Sequence, residues 1–386
     1  MTEQLIASDV QRETPRETTS ANAAVEGMRS FGHALLAEHP ELLRDGNAVV
    51  SSASIGTAFA MLRPGAEGET AEQIDDVLGF PANGLGPAYN FLTDQWMATG
   101  EDAPELSVAN SLFVQEGFAL KEPFLDALAR DFGAGVRAVA FMSGDATAVI
   151  DDWVRRETRD RIKKLFDRLS PATMLVLANA IYLKARWVHQ FSPYATGDEE
   201  FHRADGGLVD VPHMHQTTLF DHADGDGWSA VRLPYRGGEL SMWVLLPDAG
   251  GDPLDLLDPA TLASAAESAR PVFVKLSLPR WDFESDMPLN AALQAMGMTR
   301  AFTGAAEFPG VSDVSLSIDQ VRHRAVITVD EEGTEAAAVT GIAMRVSLTV
   351  PRDPVEFAAD HPFAFVITHD PSGAPLFEGV VGDPSA

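Results

Sequence analysis

Apolar residues recur at three- and four-residue intervals in the first part of the chain and alternate with polar ones along much of the rest. From Asn22 onward, Val25, Met28, Phe31, Leu35 and Leu36 trace one face of a helix. A second helical run is expected over Ser54 to Leu62. A third is expected to start at Thr70, where Thr70 and Gln73 have capping-box spacing and Ile74, Val77 and Leu78 form the buried stripe. Asp145 to Leu165 reads as a longer helix, with Ile150, Trp153 and Val154 inward and alternating charges outward.

Short runs rich in branched apolar residues predict strands at Leu106 to Val114, Met174 to Leu183, Leu240 to Leu246, Val272 to Leu278, Ala325 to Val329, Phe363 to Thr368 and Leu376 to Val381. Helices crowd the first half and strands dominate the second. That segregation predicts an α+β fold, not alternating βαβ units. No internal repeat and no long Gly/Ser linker divides the chain. A single domain is therefore expected over residues 22–386, preceded by a polar arm, residues 1–21, expected to be mobile.

One stretch breaks the pattern. Val329 to Pro354 reads VDEEGTEAAAVTGIAMRVSLTVPRDP and lies between two clear strands. It is too long for a tight turn, and loops beyond about 12–15 residues are usually functional or disordered. Read with period two, one face is Thr334, Ala336, Ala338, Thr340, Ile342 and Met344; the other is Glu335, Ala337, Val339, Gly341, Ala343 and Arg345. The first face is small at its start and apolar later, and the second carries the charges, as in a strand with one buried side. The Ala run favours a helix, but Gly333 and Gly341 bracket it, and Thr, Val and Ile within it favour extended structure. The segment reads as an exposed loop able to become a strand, and as protease bait at Met344, Arg345 and Leu348.

Composition narrows the function classes. Lys and Arg number 28 against 57 Asp and Glu, a formal net charge of −29, so the long-range field opposes nucleic acid and anionic membranes. Cysteine is absent, which removes thiol catalysis, CxxC redox chemistry and Cys-ligated zinc. Residues 1–20 hold no apolar stretch of signal-peptide length, and no run of about 18 apolar residues occurs. The expected compartment is the cytoplasm, with an extracellular location as the alternative.

Catalytic motifs are missing: there is no GxSxG, HExxH, Walker A or GxGxxG. A Ser/His/Asp hydrolase needs no local motif, yet no Ser sits in a Gly-flanked strained turn. His202, His213, His215 and His222 lie close together, and His213 and His215 would share a strand face, but no third ligand falls at a recognised spacing. Asp221, Asp224 and Asp226 resemble the start of a calcium loop, but the twelfth position from Asp224 is Tyr235 instead of Glu, so an acidic turn is expected.

EEGTEAAA, Glu331 to Ala338, strongly resembles the hinge of the serpins, the loop-inserting protease inhibitors. SASIGTAFAMLRPGAEGETAEQI (Ser52 to Ile74) resembles the family's shutter helix and the helix after it. LANAIYLKARWVHQF (Leu177 to Phe191) is similar to its central strand and breach Trp, and VRHRAVITVDEEGTEA (Val321 to Ala336) to the strand entering the hinge. HPFAFVITHDPSGAPLFEGVVGDP (His361 to Pro384) resembles its carboxy-terminal hairpin. The likeness covers roughly Asn22 to Pro384, with several independent motifs in the right order.

The resemblance implies a large central β-sheet with smaller sheets and surrounding helices, and an exposed reactive-centre loop at about residues 331–356. It implies a monomeric, metastable inhibitor of serine proteases, not an enzyme, forming a covalent acyl-enzyme complex with its target, without cofactor or metal. A non-inhibitory or substrate-like binding protein on the same fold is the alternative. Carried over, the hinge is Glu331, Glu332, Gly333, Thr334, Glu335, Ala336, Ala337 and Ala338, with Thr334 the first side chain buried on insertion. Val339 is larger than the family prefers there, though its assigned face points outward. Ser51, Ser54, Asn179 and His323 match the shutter and Trp187 the breach; Ser52 stands where many relatives carry Pro. Counting about fourteen residues on from Gly333 places the scissile bond after Ser347, and counting back from the HPF motif gives Leu348. Arg345, followed by Val346, would instead suit proteases with acidic pockets, and Met344 is a further neighbour.

Overall fold

The chain enters as a short strand, β1 (Gln4–Ile6), and a long helix, α1 (Thr19–Ala37). Next come β2 (Asn47–Val50), α2 (Ser52–Leu62), α3 (Gly68–Leu78), α4 (Leu85–Trp96), β3 (Glu105–Gln115), α5 (Glu122–Phe132), β4 (Val136–Val139) and α6 (Ala146–Glu157). Strands then dominate: β5 (Leu175–Arg186), β6 (Gly197–His202), β7 (Leu208–Gly225), β8 (Trp228–Pro234) and β9 (Leu240–Pro247). After α7 (Pro259–Ser268) follow β10 (Arg270–Pro279), β11 (Trp281–Pro288) and α8 (Asn290–Ala295). The last strands are β12 (Gln320–Val329), β13 (Gly333–Thr334), β14 (Val355–Ala358), β15 (Phe363–His369) and β16 (Ala374–Val381). This computed structural model describes residues 3–39, 46–97, 103–334 and 353–385. Among them no helix is long and apolar enough to cross a membrane.

Two sheets organise these elements, as the α+β reading expects. One runs β1-β4-β3-β5-β13-β12-β11; the other runs β14-β10-β7-β8-β9-β15-β16-β2, with β6 added to β7. In β12 the period is two: Val321, His323, Ala325, Ile327 and Val329 are buried, and the residues between them are half-buried. β5 loses that alternation because both of its faces are covered. Leu175, Leu177, Ile181 and Leu183 join the main core with α1, α2 and β16. Val176, Ala178 and Ala180 face a second, smaller core built from α6 and residues 158–169.

In the middle of the first sheet, β5 and β12 are parallel neighbours from Val176 and Gln320 up to Ile181 and Ala325. Beyond that point they part. β13 lies between them there, with Gly333 opposite Arg186 and Thr334 opposite both Ala185 and Val329.

Three expectations change. The helix read over Asp145 to Leu165 stops at Glu157. Arg159 and Asp160 take positive φ (51° and 63°), and the Asp151 carboxylate accepts the backbone N–H of Leu165 at 2.7 Å, folding the chain back on itself. Ile150, Trp153 and Val154 are buried as expected, and Ile162 and Leu165 are buried by this returning segment, because helical and looped burial leave similar apolar spacing. The third helix starts two residues before Thr70, capped at Glu67. The Thr70 hydroxyl accepts from Glu307 N–H (2.9 Å) and the Gln73 carboxamide oxygen from Thr299 and Arg300 N–H (2.9 and 2.8 Å), so both side chains clip distant loops. The amino-terminal arm lies docked in this structure: β1 pairs antiparallel with Val136–Ala138, Glu3 pairs with Arg137 and Arg156, and Arg12 donates to Asn90. Sheet-edge hydrogen bonds need no apolar pattern, so a polar sequence concealed them.

The second core supplies a test. The Trp153 ring meets Phe113 edge to face, with centroids 5.2 Å apart, and Arg137 lies 5.3 Å over it. Trp153→Ala is expected to cost about 3–5 kcal/mol, read as a lower urea midpoint with faster amide exchange over residues 158–169; an unchanged midpoint would contradict this packing.

Candidate functional site

The site begins where β12 ends. The Asp330 carboxylate accepts the N–H of Glu332 (2.8 Å) and Gly333 (3.2 Å), which turns the chain back toward β5. Gly333 then passes so close to β5 that a Cβ would lie 1.9 Å from the Ala185 carbonyl oxygen, so only glycine fits. Thr334 follows with 2% exposure, its hydroxyl 2.6 Å from the Tyr235 hydroxyl. Tyr235 stacks on Trp187 at 4.3 Å and an interplanar angle of 13°. Trp187 in turn donates its indole N–H to the Asp330 carbonyl (3.0 Å) and its backbone N–H to the Glu332 carbonyl (2.9 Å).

Glu331 anchors the turn from the other side. Its buried carboxylate accepts from Thr196 (2.5 Å) and from the Arg280 guanidinium, and its carbonyl accepts Phe191 N–H (2.9 Å). Burial alone would raise this carboxyl, but the Arg280 and Thr196 hydrogen bonds outweigh it and hold the group below the usual glutamate range. Asp330 goes the other way: burial raises it, and the two N–H donors offset this only in part.

A second cluster lies lower, where β5 and β12 are still paired. His323 and Asn179 are direct partners in the parallel register. His323 Nε2 accepts Ser51 N–H at 3.1 Å, which leaves the ring proton on Nδ1, pointed at Asn179 Oδ1. Asn179 Nδ2 donates to Ser54 Oγ (2.7 Å) and to Asn110 Oδ1 (2.5 Å), while Ser51 Oγ caps α2 by accepting Ser54 N–H (3.1 Å). The polar chain thus spans α2, β3, β5 and β12. Burial pushes the His323 imidazole down to about 3, so it is neutral and serves as a hydrogen-bonding strut, not a catalytic base.

The structure brings Ser51, Ser54, Asn179 and His323 into one cluster and places Trp187 with Glu331, Glu332, Gly333 and Thr334 in the other. Glu335, Ala336, Ala337 and Ala338, and Met344, Arg345, Val346, Ser347 and Leu348, lie outside the described residues. Sequence reading missed Asn110, whose signal was an amide inside an apolar strand, and Arg280 and Thr196, which carry no local signal. Tyr235 was weighed only as a calcium-loop position.

The histidines form no such cluster. Both ring nitrogens of buried His213 face carbonyls, of Val211 (3.1 Å) and Ala359 (3.4 Å), and His215 pairs with Glu199 (3.2 Å). Among the described residues no three His, Asp or Glu side chains are placed to hold a metal ion. Asp221 and Asp224 lie within β7, so the expected acidic turn is mostly strand; Asp221 pairs with Arg232 across the hairpin (3.1 Å).

A family model described as serpin (serine protease inhibitor) matches residues 26–384. The chain belongs to the serpin family. It is 36% identical to an uncharacterized serpin-like protein of Thermococcus kodakarensis over 88% of this chain and 81% of that protein. It is 32% identical to plasminogen activator inhibitor 1 of Sus scrofa, over 92% and 91%. The native thermophilic serpin tengpin superimposes with a TM-score of 0.87 at 24% identity, covering 99% of this chain and 100% of that one, a likeness that speaks for the fold. The two sheets are those of the serpin fold, and many serpins are protease inhibitors, not catalysts.

The His323 strut predicts an acid limb. Its imidazole is near 6.5 when unfolded and about 3 in the fold, so between these values the unfolded chain binds the extra proton. Stability from this residue is complete above pH 6.5 and is lost as pH falls toward 3, by at most about 1.4 kcal/mol per pH unit. His323→Gln should flatten that limb in urea denaturation across the window; an unaltered slope would show that another group carries it.

Proposed function

We propose that this serpin is inhibitory: it offers its loop to a serine protease and traps the enzyme as a covalent ester by inserting the loop between β5 and β12. The supporting observation is that Gly333 and Thr334 already lie as β13 in the wedge where those strands part. The next residues of the same strand face, Ala336, Ala338 and Thr340, are small enough to follow without displacing core volume.

In this mechanism the protease serine attacks a loop carbonyl, an ester replaces the peptide bond, and the amine on the far side leaves as a new amino terminus. Chain freed at the cut continues β13 downward. Insertion of Thr334 to Ser347 as a strand moves the acyl end about 46 Å along the sheet. The inserted strand gains two ladders of backbone hydrogen bonds, one with β5 and one with β12. For this to proceed, β5 and β12 must separate between Ile181 and Val176, which breaks the His323–Asn179 contact. The buried cluster therefore sets part of the barrier that holds the native state kinetically. Ser347–Leu348 is the preferred bond, because the number of residues before the cut decides whether insertion completes; Arg345–Val346 is the alternative.

Incubation with trypsin, chymotrypsin, elastase and subtilisin in turn, followed by a denaturing gel and mass spectrometry, tests this. A band at the summed mass that survives denaturant is expected with at least one of them, and the released carboxy-terminal peptide locates the cut. Cleavage by every protease without such a band would establish a substrate-like serpin.

Thr334→Arg tests the wedge itself. An unpaired guanidinium beside Tyr235 costs several kcal/mol to bury, so β13 is expected to leave the wedge while the rest of the fold stands. Cleavage should then occur without trapping; trapping at the original efficiency would refute the assigned inward face.

A further inference from the structure

Glu378 sits in the middle of β16, opposite Val50 of β2 and Val366 of β15, with 0% exposure. Both carboxyl oxygens are buried without a hydrogen-bond partner. They press against α1 at Gly32, where an added Cβ would lie 1.7 Å from Oε1. The polar groups acting on the carboxyl are the hydroxyl and backbone N–H of Ser52, first residue of α2, and that hydroxyl is itself buried without a partner. A proline at this position would have neither group to offer. The glycine at 32 is thus accounted for by the buried acid.

Charge around the acid is sparse. α1 carries Glu26, Arg29 and His33. α2 and β2 carry no titratable residue, β15 only His369 at its far end, and the short turn Pro253–Leu257 only the exposed Asp255. Of these Arg29 attracts the carboxyl, but its guanidinium is bonded to the Gly373 carbonyl at 2.6 Å, and among the described residues no cation forms an ion pair with Glu378.

We propose that Glu378, packed against Gly32 and beside Ser52, forms a buried protonation switch under the shutter: the neutral carboxyl lets α1 and α2 seat on β16, and ionisation leaves a charge that Ser52 compensates only in part, so hydration of that charge unseats α2. α2 also carries Ser51 and Ser54, which hold His323 and Asn179, so loosening its first turn eases the parting of β5 from β12. That last link rests on the insertion mechanism above; the protonation itself does not.

Burial pushes the Glu378 carboxyl up to about 8, and the Ser52 groups and Arg29, which favour the ionised form, do not offset it. The same carboxyl is near 4.5 when unfolded, so between these values the native state holds a proton that the unfolded chain has lost. Stability from this group falls as pH rises through that window and is level above about 8. His323 acts with the opposite sign at lower pH, so Glu378 is isolated by comparison with Glu378→Gln.

The first measurement is the infrared difference between the native protein and Glu378→Gln. A neutral carboxyl band is expected at pH 6.5, bleaching with a midpoint near 8; its absence at pH 6.5 overturns the switch. If Glu378→Gln does not fold, Ser52→Ala serves: loss of its hydroxyl should move the midpoint upward, and an unmoved midpoint removes Ser52 from the switch. Urea unfolding rates give the second readout. The ratio of native to Glu378→Gln rates should rise by up to about tenfold per pH unit and level off once the acid is ionised; a constant ratio overturns the seat on α2. Coupling to the sheet is read without any protease, from uptake of a synthetic peptide with the sequence of residues 334–345. Uptake should accelerate from pH 6 to pH 9 in the native protein and not in Glu378→Gln. Equal acceleration in both, or none in the native protein, overturns the coupling even where the infrared band is present.

Discussion

β5 and β12 are hydrogen-bonded as parallel neighbours only as far as Ile181 and Ala325, and the fold is arranged around the place where that pairing ends. A central strand pair that stops short leaves backbone donors and acceptors in need of partners. β13 supplies them for two residues, and the breach residues Trp187, Tyr235 and Glu331 hold it there. Below the fork, the backbone ladder is reinforced by side chains reaching from α2 and β3. The same sheet is thus reinforced below the fork by a small number of polar contacts, and β13 occupies the fork itself.

Buried ionisable groups are handled in three different ways. Glu331 stays charged because Arg280 and Thr196 meet it. His323 gives up its charge because burial disfavours the cation, and its free Nε2 lone pair accepts the Ser51 N–H. Glu378 gives up its charge in the opposite sense, by holding a proton in an apolar setting. Each arrangement satisfies the rule that a buried charge needs a partner or must neutralise. Glu331 and His323 lie on or beside the strands of the first sheet, and Glu378 lies on β16 of the second, beneath α1 and α2.

Much of this was legible along the chain because it rests on local pattern. The alternation of β12, the unbroken apolar run of β5 and the small-residue face after Gly333 are properties of neighbouring residues. The misread helix after Glu157 shows the limit of such patterns: Ile162 and Leu165 keep helical spacing, yet Asp151 reaches back to cap a loop. The docked arm shows another limit, since strand addition at a sheet edge is made by backbone groups that every sequence has.

The sequence by itself determined the α+β class and the serpin likeness, and through that likeness it singled out Glu331 to Thr334 and Ser51, Ser54, Asn179 and His323, because these rest on residue order and local pattern. Only the tertiary structure decided that Asn110 joins the Asn179–His323 cluster, that Tyr235 receives Thr334, that Arg280 meets Glu331 and that Gly32 makes room for Glu378. Those pairs lie 51 to 346 residues apart or join different strands, and their energies come from burial and mutual orientation, which no local spacing encodes.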